Sequence, residues 1–349
     1  VALAETSQHR SRLWTKKQAI FCGLFFAVVA IALAEVAIGP VPLSLSQIYQ
    51  TLMGQADPMP TAIITQIRAP RMVLGLGIGL SLAICGAVLQ GLLRNPLADP
   101  GLIGISGGAS AAVVVVIVLG DLFLGDIPAT LRPYILPIAA FCGALLVTAL
   151  ILGLSQKDGE MSVGRLILVG VAINSIAGAG IGFLTYISTD TQLRDLTFWS
   201  MGSLAKSGWL AVVISVAIMT LSSLALLRFT RALDLFQLGE RAAFHSGLNV
   251  TKIKFTACGI CAMAVGAGVS IAGPIGFIGL VAPHIARMLV GGSHRFLIPA
   301  AALVGGVLLL GADLIVRNIA PPQELPIGLA TSLIGGPFFL FLLLRSRKI

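Results

Sequence analysis

The sequence is short of charge and of aromatic rings: charged residues make up 11% of the chain and aromatics 6%, against 57% hydrophobic. An average soluble protein carries roughly 25% charged residues, so this composition excludes a water-exposed globular fold, whose single core could not absorb so much apolar surface. Cysteine is scarce too, five in all. Cys22, Cys85, Cys142, Cys258 and Cys261 each lie inside an apolar stretch, which argues against a disulfide framework. Cys258 and Cys261 form a C-x-x-C, but Ala262 follows where haem attachment needs histidine, and no second Cys/His pair completes a zinc site. They read as small buried side chains.

Further absences narrow the function. There is no phosphate-binding loop: the nearest approach, Gly159 to Gly164 followed by Arg165-Leu166, lacks the lysine and the Ser/Thr that would meet phosphate and magnesium. Neither G-x-S-x-G nor H-E-x-x-H occurs, and His9, His245, His284 and His294 are dispersed, so a membrane hydrolase has no catalytic constellation. Ionisable residues inside apolar runs mark ion pathways, but only Glu35 and Asp313 qualify. Asp313 can pair with Arg317 one turn later. A proton-coupled secondary transporter is therefore the weaker reading from another class. The net charge of +9 comes from scattered basic residues without a basic, aromatic-laced face, so no nucleic-acid partner is expected.

What the chain has instead is long apolar runs. A helix crossing the hydrocarbon core needs about 20 mostly apolar residues, and runs of that order lie near 18–39, 67–91, 99–120, 132–155, 165–187, 208–228, 253–272, 275–291, 296–318 and 326–345. The expected fold is an all-α integral membrane protein of about ten transmembrane helices, one permease domain over 1–349, surrounded by lipid. The 40 glycines, Gly75, Gly77 and Gly79 among them, suit close helix packing. Lys16-Lys17, an apolar run and Ala32-Leu33-Ala34 have the pattern of a signal peptide, but the charge count fits better with that run as a true first helix. With the N-terminus inside, only Arg68, Arg71, Arg132, Arg194, Lys206 and Arg317 of the 23 basic residues fall outside, and the positive-inside rule then puts both termini in the cytoplasm. Three longer connections remain: 40–66 and 188–207 outside, the latter expected to form a short interfacial helix, and 229–252 inside. Within the inner one, Glu240 at the start of a short helix and Gly247 at its end suit the helix dipole and a C-terminal cap.

Five ordered segments resemble the FecCD-type permeases of iron-chelate, haem and vitamin B12 ABC importers. They are Ile67-Arg68-Ala69-Pro70-Arg71; Gln90 with Asn95-Pro96-Leu97-Ala98-Asp99-Pro100-Gly101, Gly104 and Gly107; Leu238-Gly239-Glu240 through Gly247; Gly273-Pro274-Ile275-Gly276-Phe277-Ile278-Gly279-Leu280 with Pro283-His284 and Arg287; and Glu324-Leu325-Pro326-Ile327-Gly328 with Thr331, Gly335 and Pro337. Residues 1–66 match only in supplying one helix. The resemblance implies a homodimer in the bacterial inner membrane with a pathway along the dimer axis. Two cytoplasmic ATPase subunits would carry the ATP and Mg, and a periplasmic substrate-binding protein would deliver cargo. The chain itself would bind no cofactor and hold no catalytic or metal site. Within the 229–252 coupling segment, Gly239, Glu240, Arg241, Ala242, Ala243 and Gly247 would transmit ATPase closure. Arg68, Arg71 and Arg317 would meet acidic residues of the binding protein. Met161 and Ser162 would form the cytoplasmic gate, and Val171, Asn174, Gly178 and Thr331 would line the path. Such a lining hands cargo through without holding it tightly. His284 is expected to be structural. Haem is the leading cargo, with a ferric siderophore or vitamin B12 as alternatives.

Overall fold

The computed structural model describes residues 2–346 apart from 124, 126, 158, 159, 206, 207, 320 and 322. Gly159 and Lys206, named above, lie outside the described residues. The elements in order are α1 (Ala2–Ala37), α2 (Leu45–Leu52), α3 (Pro58–Ala62), α4 (Ala69–Leu93), α5 (Ile105–Phe123), α6 (Arg132–Leu154), α7 (Val163–Tyr186), α8 (Asp190–Ser200), α9 (Trp209–Leu226), α10 (Thr230–Gln237), α11 (Glu240–His245), α12 (Val250–Ala272), α13 (Ile278–Val290), α14 (His294–Ile319) and α15 (Ile327–Ser346). A π-helical turn, Ile63–Arg68, leads into α4, and a 3-10 turn, Pro100–Ile103, leads into α5. The strands β1 (Gln156–Lys157) and β2 (Glu160–Met161) form a small antiparallel ribbon between α6 and α7.

Among the described residues, seven helices are long and apolar enough to cross a membrane, and three shorter apolar ones lie at Ile105–Gly120, Ile278–Val290 and Ile327–Phe341. These are the runs expected from hydropathy. One differs: the run at 275–291 is not helical from its start. Gly273 and Phe277 take positive φ of 72° and 67°, and the segment between them is non-helical, leaving α13 only 13 residues, about 20 Å at the α-helical rise. Irregular backbone at membrane depth persists only where protein encloses it, and here Gly273 and Ile275 are buried.

The core centres on α4, which packs against α9, α12, α13 and α14. Pro70, which has no N–H to donate, stands where the π-helical turn passes into α4, so the gap in the helical hydrogen-bond ladder falls at the change of helix type. Its glycines do what close packing requires: a Cβ on Gly79 would stand 2.6 Å from the Gly305 carbonyl oxygen of α14, and one on Gly86 would strike the backbone of Gly279 in α13. Without a hydrophobic drive between helices in lipid, such contacts hold the bundle together. Cys85, Cys258 and Cys261 are free and buried, as expected. The apolar part of α1 packs on α14, so this segment belongs to the fold. The connection expected outside, described over 188–205, contains α8, capped by Thr189 and Gln192, and residues 229–252 contain α10 and α11.

Candidate functional site

At one end of the molecule three arginines meet two buried acids. Arg71, 5% exposed, grips Asp313 with Nε to Oδ2 at 2.8 Å and Nη2 to Oδ1 at 2.9 Å, and its Nη1 reaches Glu324 Oε1 at 2.9 Å. Arg317, 2% exposed, lies 2.9 Å from the Glu35 carboxylate, an ion pair without hydrogen-bond alignment, and its Nη2 donates to the carbonyls of Glu35 at 2.6 Å and Ile38 at 2.7 Å. Arg68 donates to the carbonyls of Val36 and Ala37, both at 2.8 Å, and of Val41. Its targets are the last carbonyls of α1 and the turn beyond, which have no intrahelical donor. Gly39 leaves the space the guanidinium occupies.

Arg68, Arg71 and Arg317, expected to meet acids of a binding protein, are buried and bonded within the chain, so docking on them would require these contacts to open. The pairing differs as well: Asp313 holds Arg71 of α4, and Arg317 turns to Glu35 of α1. Together these contacts clasp α1, α4, α14 and the approach to α15. Both carboxylates that could have formed an ion relay are committed to arginines.

At the opposite end lies the segment 229–252, which the resemblance assigns to coupling. Helix α10 is anchored by buried Leu233 and Phe236. Asp234 Oδ1 also accepts from the His294 backbone N–H at 2.8 Å and lies 2.8 Å from His294 Nδ1, while Gln237 Nε2 donates to the Gly292 carbonyl at 2.9 Å. Helix α11 is set off by glycines at positive φ, Gly239 at 112° and Gly247 at 85°. At its C-terminus the Gly247 N–H reaches the Phe244 carbonyl at 2.9 Å and the Leu248 N–H the Ala243 carbonyl at 3.2 Å, satisfying carbonyls the helix end leaves free. Ala243 is buried and pins the helix down, whereas Arg241, Phe244 and His245 are exposed. Phe244, 67% exposed, and Leu238, 74% exposed, present apolar surface to solvent. A cleft of about 740 Å³ runs beside Phe244, bounded also by Glu160, Met161 and Leu248–Thr251.

The gate residues sit next to this cleft. Met161 ends β2 and is buried, and Ser162 is the exposed N-cap residue of α7. Lys254 of α12, fully buried, donates to the Met161 carbonyl at 3.0 Å and pairs with Glu240 Oε1 at 2.7 Å. The sequence reading missed Lys254. A signal existed: a lysine in the second turn of an apolar helix, near the N-terminus where the helix dipole opposes a cation.

Two of the four pathway candidates make hydrogen bonds within the chain. Thr331 is buried, and its hydroxyl donates to the Gly328 carbonyl at 3.2 Å. Asn174 is half-buried and its Nδ2 donates to the Gly101 carbonyl at 3.3 Å, fixing the 3-10 turn before α5. Val171 and Gly178 remain on the exposed face of α7. His284 packs edge-on against Phe338 at 6.1 Å, as a structural residue would.

The bundle and its exposed, rigidly capped α11 define a multi-pass membrane permease. The chain belongs to the FecCD transport family, whose profile matches residues 25–345. It is 42% identical over 325 residues to the hemin transport system permease protein HmuU of Yersinia pestis, covering 93% of this chain and 95% of that one. It is 35% identical over 340 residues to the vitamin B12 import system permease protein BtuC of Vibrio cholerae, covering 97% of each. The Fe(3+)-citrate import system permease protein YfmE of Bacillus subtilis is 35% identical over 336 residues, with 95% and 98% covered. A solved structure described as an inward-facing conformation of a metal-chelate type ABC transporter superposes with a TM-score of 0.83 at 32% identity, covering 94% of this chain and 99% of that one.

Proposed function

We propose that the chain is the translocating subunit of an ATP-driven importer that carries a metal chelate, haem first, from periplasm to cytoplasm across a bacterial inner membrane. Two copies form the pathway, two ATPase subunits dock below and bind ATP and Mg, and a substrate-binding protein docks above. The observation that carries this reading is α11: a short helix, fixed by two glycine hinges and Ala243, that projects Arg241, Phe244 and His245 beside a cleft. Rigid-body contact at such a helix can convert closure of a partner into motion of the bundle. Haem is favoured over cobalamin by the 42% identity to the hemin permease against 35% to the vitamin B12 permease.

The proton-coupled alternative needs a titratable path, and Glu35 and Asp313 are both held by arginines. The test is association with the partner ATPase subunit. Replacing Arg241 and Phe244 together by alanine should abolish co-purification while leaving the bundle monodisperse. Undiminished co-purification would remove α11 as the docking element.

A further inference from the structure

We infer that Lys254 is the positioning residue that ties the coupling helix to the cytoplasmic gate, so that displacement of α11 is delivered to the Met161–Ser162 turn through one ammonium group. The inference rests on the importer reading above and goes beyond it by assigning the internal link. Three observations meet at this group. Lys254 Nζ lies 2.7 Å from Glu240 Oε1, on the first residue of α11, and 3.0 Å from the Met161 carbonyl oxygen, on the strand that opens α7. The lysine side chain is 1% exposed while that of Glu240 is 42% exposed, so the link runs from a solvent-facing element to an enclosed one. Finally, among the described residues no other hydrogen bond or ion pair joins α11 to the β1–β2 ribbon or to the start of α7.

The chemistry favours transmission over simple stability. A cation near a helix N-terminus opposes the macrodipole, and a buried ammonium costs several kcal/mol unless paired. A methionine of similar length would fill the same space without either penalty. An ammonium can hold two acceptors at once, and its two contacts here belong to elements that the proposed mechanism requires to move together. Strain arriving at Glu240 has either to carry Met161 with it or to break a charge-assisted bond in an enclosed site, where such bonds are strongest.

The test uses the complete complex of permease, ATPase and binding protein in proteoliposomes. Lys254→Met removes both contacts, and the half-exposed Glu240 it releases can be solvated. Cargo carried per ATP hydrolysed should fall about tenfold, the scale of a typical coupling free energy, with complex assembly and ATP hydrolysis retained. Gate motion is read separately by maleimide labelling of Ser162→Cys in a Cys22→Ala, Cys142→Ala background, with and without vanadate-trapped nucleotide. Labelling should respond to trapping in the otherwise unaltered chain and lose that response with Lys254→Met. A purely structural lysine would lower protein yield but leave the response per assembled complex intact, and that result overturns the inference. If Lys254→Met does not assemble, Glu240→Ala removes the acceptor from the solvent side; an unchanged labelling response there overturns the link equally. Failure of the unaltered complex to import any cargo with ATP would instead overturn the functional reading on which the inference rests.

Discussion

Asp313→Asn isolates the buried clasp formed by Arg71 and Asp313. Arg71 holds Asp313 through two aligned bonds of 2.8 and 2.9 Å, with side-chain exposures of 6% and 1%. Removing the charge leaves Arg71 with Glu324 alone, whose side chain is 39% exposed. Breaking a buried pair by removing one partner costs about 3–5 kcal/mol, because the other charge stays behind uncompensated. The remaining Glu324 brings the expectation to the lower end, about 3 kcal/mol, or a fall of roughly 4–8 °C in apparent melting temperature for a chain of this size. Glu324→Gln removes the more solvated partner and should cost less than about 1 kcal/mol. The double variant Arg71→Met, Asp313→Leu removes both buried charges and should recover most of the loss. The assay is retention of monodisperse protein in detergent after a temperature series. Equal shifts for Asp313→Asn and Glu324→Gln, or a double variant worse than Asp313→Asn alone, would refute the clasp.

Arg68→Lys should destabilise the end of α1 and increase proteolysis between residues 37 and 45, because a point ammonium cannot serve the three carbonyls that a guanidinium reaches; a digestion pattern identical to that of the parent would contradict this. Glu240→Lys sets a second ammonium against buried Lys254 and should abolish ATP-coupled uptake with the bundle still folded, as read by transport and size-exclusion together. Gly335→Val should impair assembly, since even a Cβ there meets Phe277; normal yield and melting would show that the 273–277 segment yields easily.

The helical bundle was legible in the sequence because hydropathy acts on every residue of a span, and ten apolar runs bounded by charge and glycine leave little freedom. The short helix α11 was legible for a local reason, since Glu240 suits a helix start and Gly247, at positive φ, a helix end; its coupling role came from the resemblance alone. Side-chain direction was not legible. Arg68, Arg71 and Arg317 stand at helix ends where arginines commonly face water, and their burial depends on Glu35 and Asp313 arriving from helices distant in sequence. Asp313 and Arg317, four apart, looked like natural partners, but Arg71 meets Asp313 with two aligned bonds. The start of α13 was misplaced because Ile275 and Phe277 are apolar enough to read as helix, and hydropathy does not register the left-handed φ at Phe277. Lys254 was passed over as one of several basic residues near an inner boundary; only its burial distinguishes it.

The central claim is ATP-driven import, and its most direct measurement is uptake into proteoliposomes holding this chain with its ATPase and binding protein, comparing haem, a ferric siderophore and cobalamin. The account predicts uptake of haem with ATP and none with a proton gradient alone. Gradient-driven uptake without the ATPase would contradict it.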